Sequence, residues 1–320
     1  MQLAASPRDV VLCDGSARLY RFRTAASPAA PRPAVLCVPS LINKWYVLDL
    51  RRGASVVEAL GAAGCDVYCL DWGEPGDEDR YLEWDEVLAR LGRMARAARR
   101  LAGAERLGLL GYCMGGTLAA IHAALEPESV GALVNLAGPI DFGHAGILGH
   151  LVQPRWFDPE AIASAGNMTA GQMQAGFAAL RPTAPLAKWV SFLDKLAEPE
   201  KREAFEALEA WASDNVAFPA AAYVRYIREL YQENRLVQGT HAVAGRPVDL
   251  GRIRCPVLTV TTSRDTICPP AAALALNERV GSSDRRALGI PGGHVGAVVG
   301  ERARTALYPA LGEFFRQALG

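Results

Sequence analysis

The chain has 320 residues, of which half are apolar and 21% charged, the balance of a globular protein with a large core. Its 34 basic and 34 acidic side chains cancel, so no global field recruits nucleic acid or an anionic membrane surface. No apolar run reaches the roughly 20 residues a membrane-spanning helix needs, and MQLAASPRDVVLCDG lacks the charged start and apolar run of a secretory signal.

The chain opens on an antiparallel strand pair, followed by a Pro/Ala connection, TAASPAAPRP (24–33). AVLCVPS (34–40), DVYCLDW (66–72), LGLLGY (107–112) and VGALVNLAG (130–138) then read as strands. They are almost continuously apolar, as parallel strands covered on both faces are. Helical runs at 54–63, 81–102 and 115–126 lie between them. That alternation predicts an α/β protein with a doubly wound, mostly parallel sheet.

From 142 to 250 the strand signal nearly vanishes, and the stretch is helix-rich with Trp156, Trp189, Trp211, Tyr223, Tyr226 and Tyr231. The alternation resumes with PVLTVTTSRD (256–265) and RRALGI (285–290) as strands, and 270–279 and 302–318 as helices. The expected organisation is a core of residues 1–141 and 251–320, with 142–250 inserted as a helical cap. The aromatics of the cap are expected to fill its own core or to line an acyl channel. Seven cysteines, mostly in apolar runs such as AVLCV and CDVYCL, read as buried small hydrophobes. Cys65 and Cys69 have no second pair with which to complete a zinc site, so no metal is expected. A reducing cytoplasm fits this usage.

The sharpest local signal is Gly111-Tyr112-Cys113-Met114-Gly115-Gly116, which matches the nucleophile elbow G-x-S-x-G with cysteine in place of serine. A strand must turn abruptly into a helix there, and glycines on either side keep the crowded neighbours small. The following helix aims its N-terminal N–H groups at the sulfur, which favours the thiolate. The elbow, on this strand order, predicts an α/β-hydrolase fold and the chain order nucleophile, acid, histidine.

Of five histidines, His294 in IPGGHVG directly follows the last strand, at the rim where this fold places its base. His122 falls in the helix after the elbow; His144 and His150 come too early in the chain. Asp265 ends the strand PVLTVTTSRD and is the favoured acid, with Asp141 the rival and Asp71 a rim hydrogen-bonder. One oxyanion-hole N–H is expected from Met114, and another from the loop Pro39-Ser40-Leu41-Ile42, with Leu41 the choice within it.

Beyond the fold, the chain resembles the poly(3-hydroxyalkanoate) synthases, most closely the short class III catalytic subunits. The likeness is carried by VPSLINKWYVLDL (38–50), DVYCLDWGEP (66–75), LGYCMGGTLAA (110–120), LAGPIDF (136–142), GNMTAGQMQAGFAALRP (166–182), YVRYIRELYQENRLVQG (223–239) and IPGGHVGAVVG (290–300). These blocks run in family order through core and cap alike. By that resemblance the family's cysteine, aspartate and histidine fall on Cys113, Asp265 and His294. It implies an acyltransferase that polymerises 3-hydroxyacyl-CoA, such as 3-hydroxybutyryl-CoA, through a cysteine thioester. CoA thioester is then substrate, and no cofactor is implied. The partners implied are the growing polyester chain, a companion synthase subunit, a second copy in a homodimer and the polymer granule surface, in the cytoplasm. Two departures stand out. The family's extra N-terminal segment is largely absent, and Thr266 follows the aspartate where the family commonly has histidine. The alternatives are a cysteine hydrolase (a thioesterase, a dienelactone-hydrolase-like enzyme or a polyester depolymerase) and an inactive granule-bound or subunit-binding module.

Overall fold

The structure, a computed structural model, describes residues 2–23, 32–179 and 198–320. Most of the Pro/Ala connection, Trp189 and the end of the block at 166–182 lie outside the described residues. Strands β1 (Arg8–Asp14) and β2 (Ala17–Phe22) form the opening antiparallel pair. They are followed by β3 (Ala34–Val38), β4 (Asp66–Asp71), β5 (Leu107–Tyr112), β6 (Val130–Leu136), β7 (Val257–Thr262) and β8 (Arg285–Ile290). All eight make one sheet in the order β1-β2-β4-β3-β5-β6-β7-β8. Pairing is parallel from β4 to β8 and antiparallel where β2 meets β4.

Burial explains the sequence pattern strand by strand. Every residue of β3, β5, β6 and β7 is buried, because helices cover both faces of the central sheet. In β3, Leu36 and Val38 pack into the cluster on one face, and Val35 and Cys37 into the cluster on the other. At the edge, β8 alternates partly buried with exposed positions instead. Four strands end short of the expected runs, β3, β4, β6 and β7, and for β3 and β6 the local reason is plain. Pro39 has no N–H to continue β3, and the chain turns out of β6 at Ala137, whose φ is +50°.

Helices α1 (Val56–Ala62), α2 (Trp84–Ala102) and α3 (Met114–Leu125) fill the connections. The start of α2 is fixed by a capping box: the Glu83 backbone N–H donates to Glu86 Oε2 at 3.0 Å. Its end is fixed by Gly103 at φ +62°. After β7 come α10 (Pro270–Arg279) and the closing helix α11 (Tyr308–Leu319).

Between β6 and β7 the described residues are mainly helical: α4 (Gly146–Leu151), α5 (Pro159–Ala163), α6 (Ala170–Ala179), α7 (Pro199–Ser213), α8 (Ala220–Arg225), which runs on as a π-helical stretch over Tyr226–Gln232, and α9 (Arg235–Gln238). Its buried side is aromatic. Phe142 and Tyr231 stand 4.7 Å apart, Phe218 and Tyr223 5.6 Å, and Tyr226 lies 5.3 Å from Trp84 of α2. Trp84 also donates its indole N–H to His241 Nε2 at 3.2 Å, and His241 Nδ1 bonds Glu229 at 2.9 Å. An acceptor at Nε2 requires a neutral His241, in keeping with the downward pull of burial on its pKa. Arg225 reaches Asp85 of α2 at 2.6 Å. The segment is thus seated on α2 by packing and by buried polar pairs.

Candidate active site

Cys113 sits between β5 and α3 at φ +57°, ψ −130°, a conformation that costs an L residue about 1–3 kcal/mol and must be imposed by its surroundings. The Cys113 N–H donates to Leu136 O at 3.0 Å, and the Gly116 N–H closes the turn on Cys113 O at 2.8 Å. The glycines are required by contact. A Cβ on Gly115 would lie 1.9 Å from Val38 O, and one on Gly111 would lie 2.2 Å from Gly115 O. The elbow is therefore pressed against the end of β3, which brings the Pro39–Ile42 loop beside the cysteine.

His294 and Asp265 come from the loops after β8 and β7. The loops are tied by the Arg264 N–H on Gly292 O at 2.8 Å. His294 Nδ1–H donates to Asp265 Oδ2 at 2.7 Å. The carboxylate is itself held: Oδ2 accepts from Thr262 Oγ1 at 3.0 Å, and Oδ1 from the N–H groups of Ile267 and Cys268 at 2.9 and 2.8 Å. Burial alone would raise the Asp265 pKa, but the His294 contact and these donors win and hold it below the usual carboxylate value. Tyr112 stacks on the His294 ring, with centroids 5.3 Å apart.

The other imidazole nitrogen, Nε2, is buried without a regular hydrogen-bond partner. Burial pushes the His294 pKa down, yet the nearby Cys113, followed by Asp265, overcomes it and lifts the value to about 10. Cys113, partly buried, thus acts on the ring whose Nδ1 is bonded to Asp265.

Cys113 and Met114 open onto a cavity of about 390 Å³, lined also by Ser40, Ile42, Tyr226 and Tyr231 and almost wholly apolar. Leu41 is buried and is not part of this lining; its neighbours Ser40 and Ile42 are.

The alpha/beta hydrolase fold family matches residues 33–300. A poly(3-hydroxyalkanoate) polymerase subunit of Allochromatium vinosum is 32% identical over 98% of this chain and 89% of its own length. The chain belongs to the alpha/beta hydrolases, among the poly(3-hydroxyalkanoate) polymerase subunits. The polymerase subunit of Haloferax mediterranei is likewise 32% identical, over 99% of this chain, which spans 65% of that relative. Solved structures share the fold alone. A soluble variant of the monoglyceride lipase of Saccharomyces cerevisiae superposes with a TM-score of 0.63 at 12% identity, covering 98% of this chain and 97% of the lipase. Est1E from Butyrivibrio proteoclasticus gives 0.58 at 16%, covering 98% and 99%.

In this polymerase-family chain the other sequence candidates are occupied elsewhere. Asp141 accepts from Asn234 Nδ2 at 2.8 Å and from the Gly143 N–H at 2.9 Å, and its other oxygen meets exposed His144 at 3.1 Å. Asp71 bonds Tyr20 Oη at 2.9 Å. His122 is buried in α3, and desolvation lowers its pKa to about 4; His150 is exposed. Of the aromatics named from sequence, Tyr223, Tyr226 and Tyr231 line the cavity. Trp211 is buried against the opposite core cluster, and Trp156 lies exposed under the Arg155 guanidinium. Cys37, Cys65, Cys69 and Cys268 are buried. Among the described residues no group of three or more His, Cys, Asp or Glu could hold a metal ion, and no helix is long and apolar enough to cross a membrane.

What the sequence did not flag is the contact between the loop beside Cys113 and residues 211–216. Asn43 and Asn215 are joined by a 2.9 Å side-chain hydrogen bond across 172 positions, and no local pattern announces such a pair.

Proposed function

We propose that this protein is an acyltransferase that polymerises 3-hydroxyacyl-CoA, of which 3-hydroxybutyryl-CoA is the short-chain case, into polyhydroxyalkanoate with release of CoA. Cys113 is the nucleophile, His294 the proton carrier and Asp265 the group that orients it. The observation that carries this reading is the 2.7 Å Asp265–His294 contact on a ring that Cys113 also acts on.

The mechanism starts from a Cys113 thiolate beside a protonated His294. The Cys113 thiolate attacks the thioester carbonyl; the Cys113–acyl bond forms as the acyl–CoA bond breaks, and the CoA sulfur takes the His294 proton. Thioester is exchanged for thioester, so the acyl group stays activated. Acylation also removes the negative charge at Cys113 that holds the proton on His294, so burial then lowers the imidazole's pKa. Neutral His294 takes the proton of an incoming 3-hydroxyl, the oxygen attacks the acyl-cysteine, an ester forms and the thiolate returns beside a reprotonated imidazole. The Met114 N–H and an N–H of the Pro39–Ile42 loop, that of Leu41 for choice, face the developing oxyanion.

Transfer to an alcohol must outrun transfer to water. In this reading residues 142–250 are a helical cap on the core of 1–141 and 251–320, and its apolar cavity lining disfavours water at the acyl-cysteine. The thioester brings its own activation, so neither cofactor nor metal takes part. The growing polyester, a companion synthase subunit, a second copy of the chain and the granule surface are the partners of such an enzyme, in the cytoplasm.

Incubation with 3-hydroxybutyryl-CoA tests the proposal. Chloroform-soluble polyester, lost together with CoA release in Cys113→Ala, is the expected product. Free 3-hydroxy acid equal to the CoA released would identify a hydrolase. CoA release that persists in Cys113→Ala would remove Cys113 from the chemistry.

A further inference from the structure

The stretch Ser40–Ile42 belongs to no strand or helix, so its own hydrogen bonding does not fix where its N–H groups point. Its two ends are fixed from outside. On the core side, Trp72 Nε1–H donates to Pro39 O at 3.0 Å, and Gly115 packs against the carbonyls of Val38 and Pro39. On the far side the holder is the end of α7 and the residues after it. Trp211 Nε1–H donates to Lys44 O at 2.9 Å, and the Val216 N–H to Ile42 O at 3.2 Å. Asn43 and Asn215 form an isolated antiparallel bridge, with Asn43 Nδ2 donating to Asn215 Oδ1 at 2.9 Å. Tyr46 Oη adds a bond to Asp214 Oδ2 at 2.7 Å.

Two of these bonds end on main-chain carbonyls of the 42–44 stretch, and the bridge pairs its backbone at Asn43. They therefore set peptide-plane orientation as well as attachment. The Ile42 carbonyl shares its peptide plane with the Asn43 N–H, so these bonds fix the far end from which the Leu41 and Ile42 peptides run back toward Cys113. Ser40 and Ile42 line the same cavity as Cys113, which puts this loop beside the place an acyl group on the cysteine would occupy.

We propose that Trp211 and Asn215 are positioning residues that aim the loop N–H at the acyl oxygen on Cys113, so that the 211–216 segment completes the oxyanion hole from outside the sheet. This rests on the reading of Cys113 as the acyl-accepting nucleophile, but not on the identity of the natural acyl group. A displaced segment would leave the thiolate intact and the carbonyl chemistry slow.

Two reactions of Cys113 separate this role from simple attachment. Acylation by 4-nitrophenyl butyrate passes through an oxyanion; alkylation by iodoacetamide displaces iodide at a saturated carbon and needs no oxyanion hole. In Asn215→Ala, and in Trp211→Phe, which keeps a buried ring but removes the N–H, acylation is expected to slow about ten- to a hundredfold. The loss should fall on kcat rather than KM, with alkylation within about twofold of wild type. Unchanged acylation in both variants overturns the proposal, and so does an equal loss of both reactions, which would mean general damage to the cysteine site. A wild-type protein that is alkylated at Cys113 but never acylated there would instead sink the nucleophile reading on which the proposal stands.

Discussion

His294 Nδ1 lies 2.7 Å from Asp265 Oδ2, although 29 residues separate them in the chain. The contact joins the loops after two neighbouring parallel strands, β7 and β8, whose register runs from Val257 opposite Arg285 to Thr262 opposite Ile290. Sheet pairing thus carries Asp265 and His294 to the same rim.

Replacing that acid tests its orienting role. Asp265→Asn keeps the size but can present an amide N–H to Nδ1, which favours the wrong imidazole tautomer. CoA release from an acyl-CoA is expected to fall by at least about a hundredfold. Retention of more than a tenth of wild-type activity would argue that another group orients the ring.

The charge on His294 should follow the Cys113 sulfur. Its pKa is raised from 6.5 to about 10, with Cys113 the largest cause acting upward. The raised value stabilises the fold fully below pH 6.5, and the contribution fades as pH rises through about 10. In Cys113→Ala that influence is gone, so NMR titration of the ring should show deprotonation at lower pH than in wild type. Identical midpoints would mean that the sulfur does not reach the ring.

Tyr112 combines a useful ring with an idle hydroxyl. The ring stacks on His294, while Oη is buried without a hydrogen-bond partner. Tyr112→Phe keeps the stack and removes the unsatisfied group, so urea unfolding should show a gain of about 1 kcal/mol. A loss of that size would show that the hydroxyl is satisfied in solution by water.

At the elbow, even a methyl group is too much. Gly115→Ala would put a Cβ 1.9 Å from Val38 O, a backbone atom of a central strand that cannot step aside. Destabilisation of about 3 kcal/mol is expected in a denaturant melt, with loss of acylation. A well-folded, fully active Gly115→Ala would show that α3 can slide away from β3.

Much of this was legible one residue at a time. Continuous apolar runs marked β3, β5, β6 and β7, since strands covered on both faces leave no polar side. The glycines around Cys113 marked the elbow, because only they tolerate the backbone contacts found there. The preference for Asp265 over Asp141 leaned on chain order and on the family resemblance. The fold gives Asp141 to Asn234 and His144, and Asp265 to His294.

By itself the sequence determined the alternation of strands and helices, the elbow at Cys113 and the short set of polar residues at strand ends. Those depend on local sterics, period and burial, which a few neighbouring residues encode. Tertiary structure alone decided which aromatics face the cavity and which carboxylate meets His294. It also decided that the loop beside Cys113 is held by Trp211 and Asn215. Such contacts join side chains up to 172 positions apart, and their directions follow from how helices pack on the sheet, which no local pattern records.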